Sequence, residues 1–222
     1  HSFPPRRSSD LRFRRTIADH GPDAVAFYAS GQFLTEDYYV ANKLMKGFIG
    51  SGNIDTNSRL CMASSVAGHV RAFGEDVVPG IYEDWDEADL VILVGGNTAW
   101  CHPILYQRLV AARAKRGTRV VVVDPRRTAT CDIADLHLPL AAGSDVALFN
   151  GLLIHLADRG ALDNAFVDSC TSGVADALEA AGCSSGDIGK GARSTLLRYS
   201  EFATLYSWFI ATKRTMTVFS QG

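Results

Sequence analysis

The chain has 222 residues, 47% of them hydrophobic and 21% charged, and 22 Lys and Arg against 24 Asp and Glu leave a net charge of −2. That composition fits an ordinary globular protein with room for one large domain or two small ones. It argues against a general nucleic-acid or polybasic membrane binder, which needs clustered positive charge. Apolar runs such as 90–94 and 120–123 are far too short to span a bilayer.

From the amino end, residues 1–11 show neither a helical nor a strand period. Arg6-Arg7 is followed by Arg12–Arg15 rather than by the apolar stretch an export signal requires. The run Arg7–Leu11 resembles a sequencing-adapter tail, so 1–11 are expected to be a cloning or assembly scar, foreign to the fold. Residues 12–222 are read as a partial domain cut at both ends. After Gly21-Pro22, residues 23–30 predict a short buried strand ending in Ser30-Gly31-Gln32. A helix is predicted from Thr35 to about Phe48, a polar loop over 50–59, and a second helix from about Leu60 to Phe73, stopped by Gly74.

The strongest local signal is the apolar run 88–94, a strand ending in Gly95-Gly96-Asn97. Pro103 and Gly117 bracket a helix over 103–116, and a second apolar strand, 119–123, ends at Asp124-Pro125. A third strand, 136–140, leads into Gly143-Ser144-Asp145 and a helix from Val146 to about Arg159. Residues 183–195 read as a Gly- and Ser-rich loop, 196–210 as a helix with a core face, and 215–222 as a strand entering a turn. Strand, helix and strand at this spacing form right-handed βαβ units. Continuous apolar runs suit a parallel sheet covered on both faces. The fold class is α/β, a Rossmann-like parallel sheet with helices on both faces.

In such a sheet, ligands bind beyond the carboxyl ends of the strands. Glycines there let backbone N–H groups approach a pyrophosphate, and the helix start behind them favours an anion. Asp124 could bond ribose hydroxyls or a guanine edge, and Arg126 and Arg127 could neutralise phosphate. Each loop alone could equally be an ordinary turn; three at successive strand ends favour a nucleotide site. The first loop is not the G-x-G-x-x-G of dinucleotide enzymes.

The five cysteines stand at 61, 101, 131, 170 and 183, odd in number, widely spaced and without a C-x-x-C pair. A disulfide scaffold and a self-contained zinc site are both disfavoured, and reduced cysteines in a cytoplasmic protein are the default reading. Cys61 differs from the others. It follows a polar loop and lies near a helix start, with Asn57 in position to cap, an environment that favours a thiolate nucleophile or soft metal ligand. A buried helix cysteine is the alternative. If Cys61 binds a metal, a cofactor must provide the other ligands, since no His, Asp or Cys cluster lies nearby in sequence. His69, His102, His137 and His155 read as packing or capping residues, as do the remaining cysteines.

The segment Asn57-Ser58-Arg59-Leu60-Cys61-Met62 resembles the molybdenum-ligating segment of bacterial nitrate reductases in the molybdopterin oxidoreductase superfamily. Segments 80–84, 94–103, 124–132 and 138–145 resemble the same family in order, the assimilatory nitrate reductases in particular. The resemblance implies that the chain is part of a larger molybdopterin oxidoreductase fold with a molybdenum-bis(molybdopterin guanine dinucleotide) cofactor. Cys61 would be the protein ligand to molybdenum and Met62 would face the substrate pocket. Gln32 and Asn57 would contact the cofactor. Its nucleotide portions would lie against Val94, Gly95, Gly96, Asn97, Thr98, Ala99, Trp100 and Cys101, against Val123, Asp124, Pro125, Arg126 and Arg127, and against Gly143, Ser144 and Asp145.

The implied reaction is oxygen-atom transfer from nitrate to give nitrite. A ferredoxin, a flavodoxin or an NADH-linked reductase subunit would donate electrons through a [4Fe–4S] cluster whose four cysteines this chain lacks. The fragment alone is therefore expected to be inactive. No nucleic-acid or membrane partner is expected, and the cytoplasm is the expected compartment, with the periplasm as the alternative. The rival readings are a periplasmic nitrate reductase, a formate dehydrogenase, disfavoured by Met62 where those enzymes usually carry His, and a metal-free nucleotide-binding module.

Overall fold

The polar segment ahead of Cys61 folds around a short pair of parallel strands in the computed structural model. The structure describes residues 6–185 and 199–219, apart from the side chains of 6–8, 58, 59, 61, 183–185 and 199. The chain forms two compact units, residues 1–77 and 78–222.

In the first unit, Arg6–His20 is a helix (α1). Residues 6–11 thus belong to regular structure, contrary to the aperiodic reading. The helix is polar nearly all round, so no stripe of apolar residues announces it, and packing of the Phe13 ring on Phe27 at 5.8 Å helps to hold it. Pro22 starts a single 3₁₀ turn, Pro22–Ala24, which shortens the expected strand to Phe27–Ala29 (β1). Helix Thr35–Asn42 (α2) continues as a wider π turn over Lys43–Ile49 and stops at Gly50, whose φ of 85° suits glycine.

Ile54–Thr56 (β2) lies within the segment read as loop. It pairs parallel with β1, Phe27 opposite Ile54 and Ala29 opposite Thr56. Three residues carry too little alternation to signal a strand. Helix Ser58–Phe73 (α3) follows and ends at Gly74. Val25, Ala29 and Met45 are buried. The buried hydroxyl of Ser51 donates to Asp23 Oδ1 at 2.6 Å.

The second unit is the larger. Its elements run Asp84–Glu87 (α4), Leu90–Val94 (β3), Thr98–Cys101 (α5), Pro103–Arg116 (α6), Arg119–Val123 (β4), a 3₁₀ turn Ala129–Ile133, and Leu136–Leu138 (β5). They continue with Asp145–Asp158 (α7), Asn164–Cys170 (α8), Val174–Ser185 (α9), Tyr199–Ala211 (α10) and Thr215–Phe219 (β6). The third predicted strand thus ends at Leu138 rather than Leu140. Residues 183–185 lie in α9 rather than in a loop, and 186–195 fall outside the described residues.

The four strands of this unit are all parallel, in the order β5-β4-β3-β6. Three successive strands step outward in one direction and the fourth joins on the other side of β3. This is the order reversal at which doubly wound sheets bind ligands. Alternate side chains face opposite layers. Leu90, Ile92, Val94, Val121, Val123 and Leu138 meet Leu148 and Leu152 of α7 and Phe202, Leu205 and Tyr206 of α10. Val91, Leu93, Val120 and Val122 meet Trp85, Leu109 and Cys131. Full burial of such side chains is worth roughly 1.5–3 kcal/mol each.

The amino-terminal edge of the sheet is stitched by ion pairs. Arg214 bonds both oxygens of Asp89 at 3.0 Å and Arg116 reaches Asp89 at 2.9 Å, while Arg113 grips Asp135 through its two terminal nitrogens. The hydrogen bonds from Arg214 and Arg116 hold the Asp89 carboxyl below the usual carboxylate range. Burial pushes Asp135 up, but the Arg113 bonds and the Val120 amide outweigh it and hold this carboxyl low as well.

Candidate functional site

The carboxyl-terminal edge of the sheet is built differently. Gly95 leaves β3 with φ 61°, which suits glycine, and its amide donates to Val123 O at 2.9 Å. The amide of Asp124 donates to Leu138 O at 3.2 Å. Two backbone bonds thus set the ends of β3, β4 and β5 side by side, and with them the predicted loops 94–101 and 123–127. Residues 143–145 follow β5 at the same edge. Gly143 has φ 79°, Ser144 precedes α7 and Asp145 is its first residue. The Ser144 hydroxyl is turned back on Ala141 O at 2.5 Å.

Asp124 is buried, and its Oδ1 accepts from the Arg126 amide at 2.7 Å. One carboxylate oxygen expected to read a ribose or guanine is therefore committed to holding the turn. The His137 ring bonds the Asp124 carbonyl at 2.9 Å, giving that histidine a structural partner. Arg126 and Arg127 are exposed, and among the described residues neither is within ion-pair distance of a carboxylate. They contrast with the paired arginines of the opposite edge. One residue further on, the Thr128 hydroxyl is the one buried side-chain polar atom without a hydrogen-bond partner among the described residues.

Asn97 and Ala99 are anchored by a residue that sequence reading missed. The Thr130 hydroxyl, fully buried, donates to Asn97 Oδ1 at 3.0 Å and accepts from the Ala99 amide at 3.1 Å. Nothing in the local sequence signals this, because the partners stand more than thirty positions apart. Thr98 is buried, whereas Trp100 is 77% exposed and Cys101 is also exposed. His102 sits at the junction of α5 and α6 with its side chain making no cap bond.

The first unit carries the other predicted group. Asn57 immediately precedes α3, but its side chain makes no cap bond there, contrary to expectation. Its Oδ1 instead accepts from the Gly31 backbone amide at 2.7 Å, and the Asn57 backbone amide donates to Ala29 O at 3.2 Å. Asn57 thereby ties together the chain leaving β1 and the chain leaving β2. Gln32, exposed, sits in the first of these segments with its amide on Ser30 Oγ. Cys61 lies in the first part of α3, its side chain outside the described residues. Directly after it the helix is kinked, Met62 having φ −121° and ψ 15°. Four predicted residues, Gln32, Asn57, Cys61 and Met62, thus share the first unit, and the other sixteen share the second.

Among the described residues no group of three or more His, Cys, Asp or Glu is placed to hold a metal ion, and no helix is long and apolar enough to cross a membrane.

The profile of the molybdopterin oxidoreductase family matches residues 11–186. A nitrate reductase from Klebsiella oxytoca is 57% identical over 214 residues, 95% of this chain and 24% of the relative. A periplasmic nitrate reductase from Desulfovibrio desulfuricans is 47% identical over 144 residues, 64% of this chain and 19% of the relative. The chain therefore spans about a quarter or less of the length of these relatives. Among solved structures, acetylene hydratase from Pelobacter acetylenicus superposes with a TM-score of 0.66 at 23% identity, over 96% of this chain and 28% of that one. At that identity the likeness concerns the fold alone.

Proposed function

Since the chain belongs to the molybdopterin oxidoreductase family, we propose that it is the part of a nitrate reductase catalytic subunit that supplies the protein ligand to molybdenum and a cradle for the cofactor's nucleotide. The observation that carries the cradle is a glycine-led loop leaving β3, the strand beside the order reversal, next to two guanidinium groups after β4 that have no ion-pair partner among the described residues. The substrate assignment rests on the similarity to nitrate reductases.

The residues present fit a pterin group extended by a guanine nucleotide. Gly95 opens the backbone for close approach, and among the described residues Arg126 and Arg127 have no carboxylate partner and the buried Thr128 hydroxyl has no hydrogen-bond partner, which a polar, anionic ligand could supply. Residues 94–101, 123–127 and 143–145 would hold the nucleotide portions, and Gln32 and Asn57 would contact the cofactor in the first unit. When bound, the molybdenum-bis(molybdopterin guanine dinucleotide) group supplies the transfer of one oxygen atom, by which nitrate, two electrons and two protons become nitrite and water.

The chain's own residues bind and orient. Cys61 stands in the first turn of α3, directly ahead of the kink, and would supply a thiolate, the form a soft metal takes. Asn57 fixes the entry to that helix through Gly31. The kink at Met62 interrupts the helix directly after the ligand position, and Met62 would face the substrate.

The Trp100-Cys101-His102-Pro103 stretch and the 124–128 segment support the assimilatory type, acting in the cytoplasm with a ferredoxin, a flavodoxin or an NADH-linked subunit as donor, over the periplasmic type. A [4Fe–4S] cluster would be held by other parts of the protein. The test is nitrate-dependent oxidation of reduced methyl viologen by the complete gene product containing this sequence. Nitrite should form with the native protein and fall to background with Cys61→Ala. Full activity in that variant would overturn the assignment of Cys61, and formate oxidation without nitrate reduction would overturn the substrate.

A further inference from the structure

We propose that Thr130 is a positioning residue for the nucleotide-binding loop, acting as a helix cap supplied from a distant part of the chain. The inference rests on the reading of residues 94–101 as part of the cofactor cradle and adds to it a residue outside every predicted site.

Helix α5 begins at Thr98; the Trp100 and Cys101 amides of its first turn donate to the Asn97 carbonyl, at 3.0 and 2.8 Å, which leaves the Ala99 amide to find an acceptor outside the helix backbone. Asn is a common N-cap residue because its side-chain oxygen accepts from the second or third amide of the helix. Asn97 occupies that position but makes no such bond. Its Oδ1 is instead the acceptor for Thr130 Oγ1 at 3.0 Å, and the same Thr130 oxygen accepts from the Ala99 amide at 3.1 Å.

The hydroxyl has a single proton. With the Ala99 N–H donating to its oxygen, that proton is directed to Asn97, so the two bonds define each other. The result is a relay in which Thr130 does for Ala99 what the Asn97 side chain would otherwise do, while fixing the Asn97 side chain itself.

Thr130 is well placed to be rigid. It is fully buried, and it lies in the 3₁₀ turn Ala129–Ile133 beside Cys131, which is 1% exposed and packs with Val91, Leu93, Val120 and Val122 of the sheet. The Cys131 amide closes the turn onto Thr128 O at 2.9 Å. The loop leaving β3 is therefore bound to the segment leaving β4 at two points, the Gly95 amide on Val123 O and the Thr130 relay. Between them lies Gly96, whose amide is expected to meet the phosphates. A loop pinned at both ends presents its amides in one arrangement and loses little freedom on binding, which slows release of the ligand.

The experiment uses the complete gene product in the native form and as Thr130→Val and Thr130→Ser. Molybdenum, and guanine nucleotide released by acid hydrolysis, are measured per protein before and after prolonged dialysis. Hydrogen exchange at the Ala99 amide is read by fragmentation mass spectrometry. Guanine nucleotide absent from freshly purified native protein would refute the cofactor reading itself, independently of Thr130.

With the nucleotide present, Thr130→Val should lose it at least about tenfold faster than native protein, equivalent to about 1.4 kcal/mol. Thr130→Ser, which keeps the hydroxyl, should stay within about twofold of native, and Ala99 exchange should rise only in the Val variant. Equal retention and equal exchange in all three proteins would overturn the proposal. If the Val variant does not fold, the native protein decides. Ala99 protected about a hundredfold or more upholds the relay, and exchange at the rate of an unstructured amide overturns it.

Discussion

Gly151→Ala should destabilise the chain even though it replaces the poorer helix former inside α7. A Cβ built on Gly151 falls 2.6 Å from the Tyr206 hydroxyl and 3.6 Å from the carbon that bears it. Tyr206 is 1% exposed and its hydroxyl donates to Leu148 O at 2.7 Å, so the ring cannot retreat without straining that bond or its packing on Phe202. Overpacking costs roughly 1–3 kcal/mol and weakening the hydrogen bond about 1 kcal/mol, against a gain of about 1 kcal/mol from helix propensity. The net expectation is a loss of about 2 kcal/mol.

The informative control is Tyr206→Phe, which removes the clashing oxygen and leaves only the ordinary 3.6 Å contact. In that background the same Gly151→Ala change should stabilise by about 1 kcal/mol, giving a coupling near 3 kcal/mol in a double-mutant cycle. Urea unfolding followed by far-UV circular dichroism measures all four proteins. Additive effects, or stabilisation by Gly151→Ala in the native background, would refute the placement of α7 against α10.

Asp135→Asn should alter the acid limb of the stability profile. The Arg113 and Val120 bonds hold the folded carboxyl below its unfolded value despite burial. Its contribution is therefore present above about pH 4 and lost as the pH falls through the folded value. Unfolding midpoints should differ most between native and variant at neutral pH and converge as acid protonates the folded carboxyl, whereas a constant difference would contradict the pairing. Asn57→Ala removes the acceptor of the Gly31 amide and should cost about 1 kcal/mol, read as faster exchange of that amide; unchanged exchange would show that the clamp does not form in solution.

What the sequence disclosed and concealed follows from the range of the forces involved. β3, β4 and α6 were legible because their signals are local: continuous apolar runs, a Gly or Asp-Pro stop, and Pro103 and Gly117 as brackets. The loops at the carboxyl ends of the strands followed from that reading, since a parallel sheet fixes where such ends lie. β2 was hidden because three residues in a polar segment become a strand only by pairing with β1. Asn57 makes a different bond from the cap that its place ahead of α3 suggests. Its position predicts a cap, and only the fold brings Gly31 into range of its oxygen. Thr130 was invisible for the same reason, its partners being 33 and 31 residues away. The ion-paired amino edge of the sheet was also unread, because Arg214 and Asp89 are 125 residues apart.

Whether Cys61 is the protein ligand to molybdenum is read most directly by X-ray absorption at the molybdenum edge. The complete gene product would be compared with its Cys61→Ala variant, both checked for retained pterin. Loss of one sulfur neighbour from the metal in the variant is the expected result; an identical sulfur shell in the two proteins would contradict it.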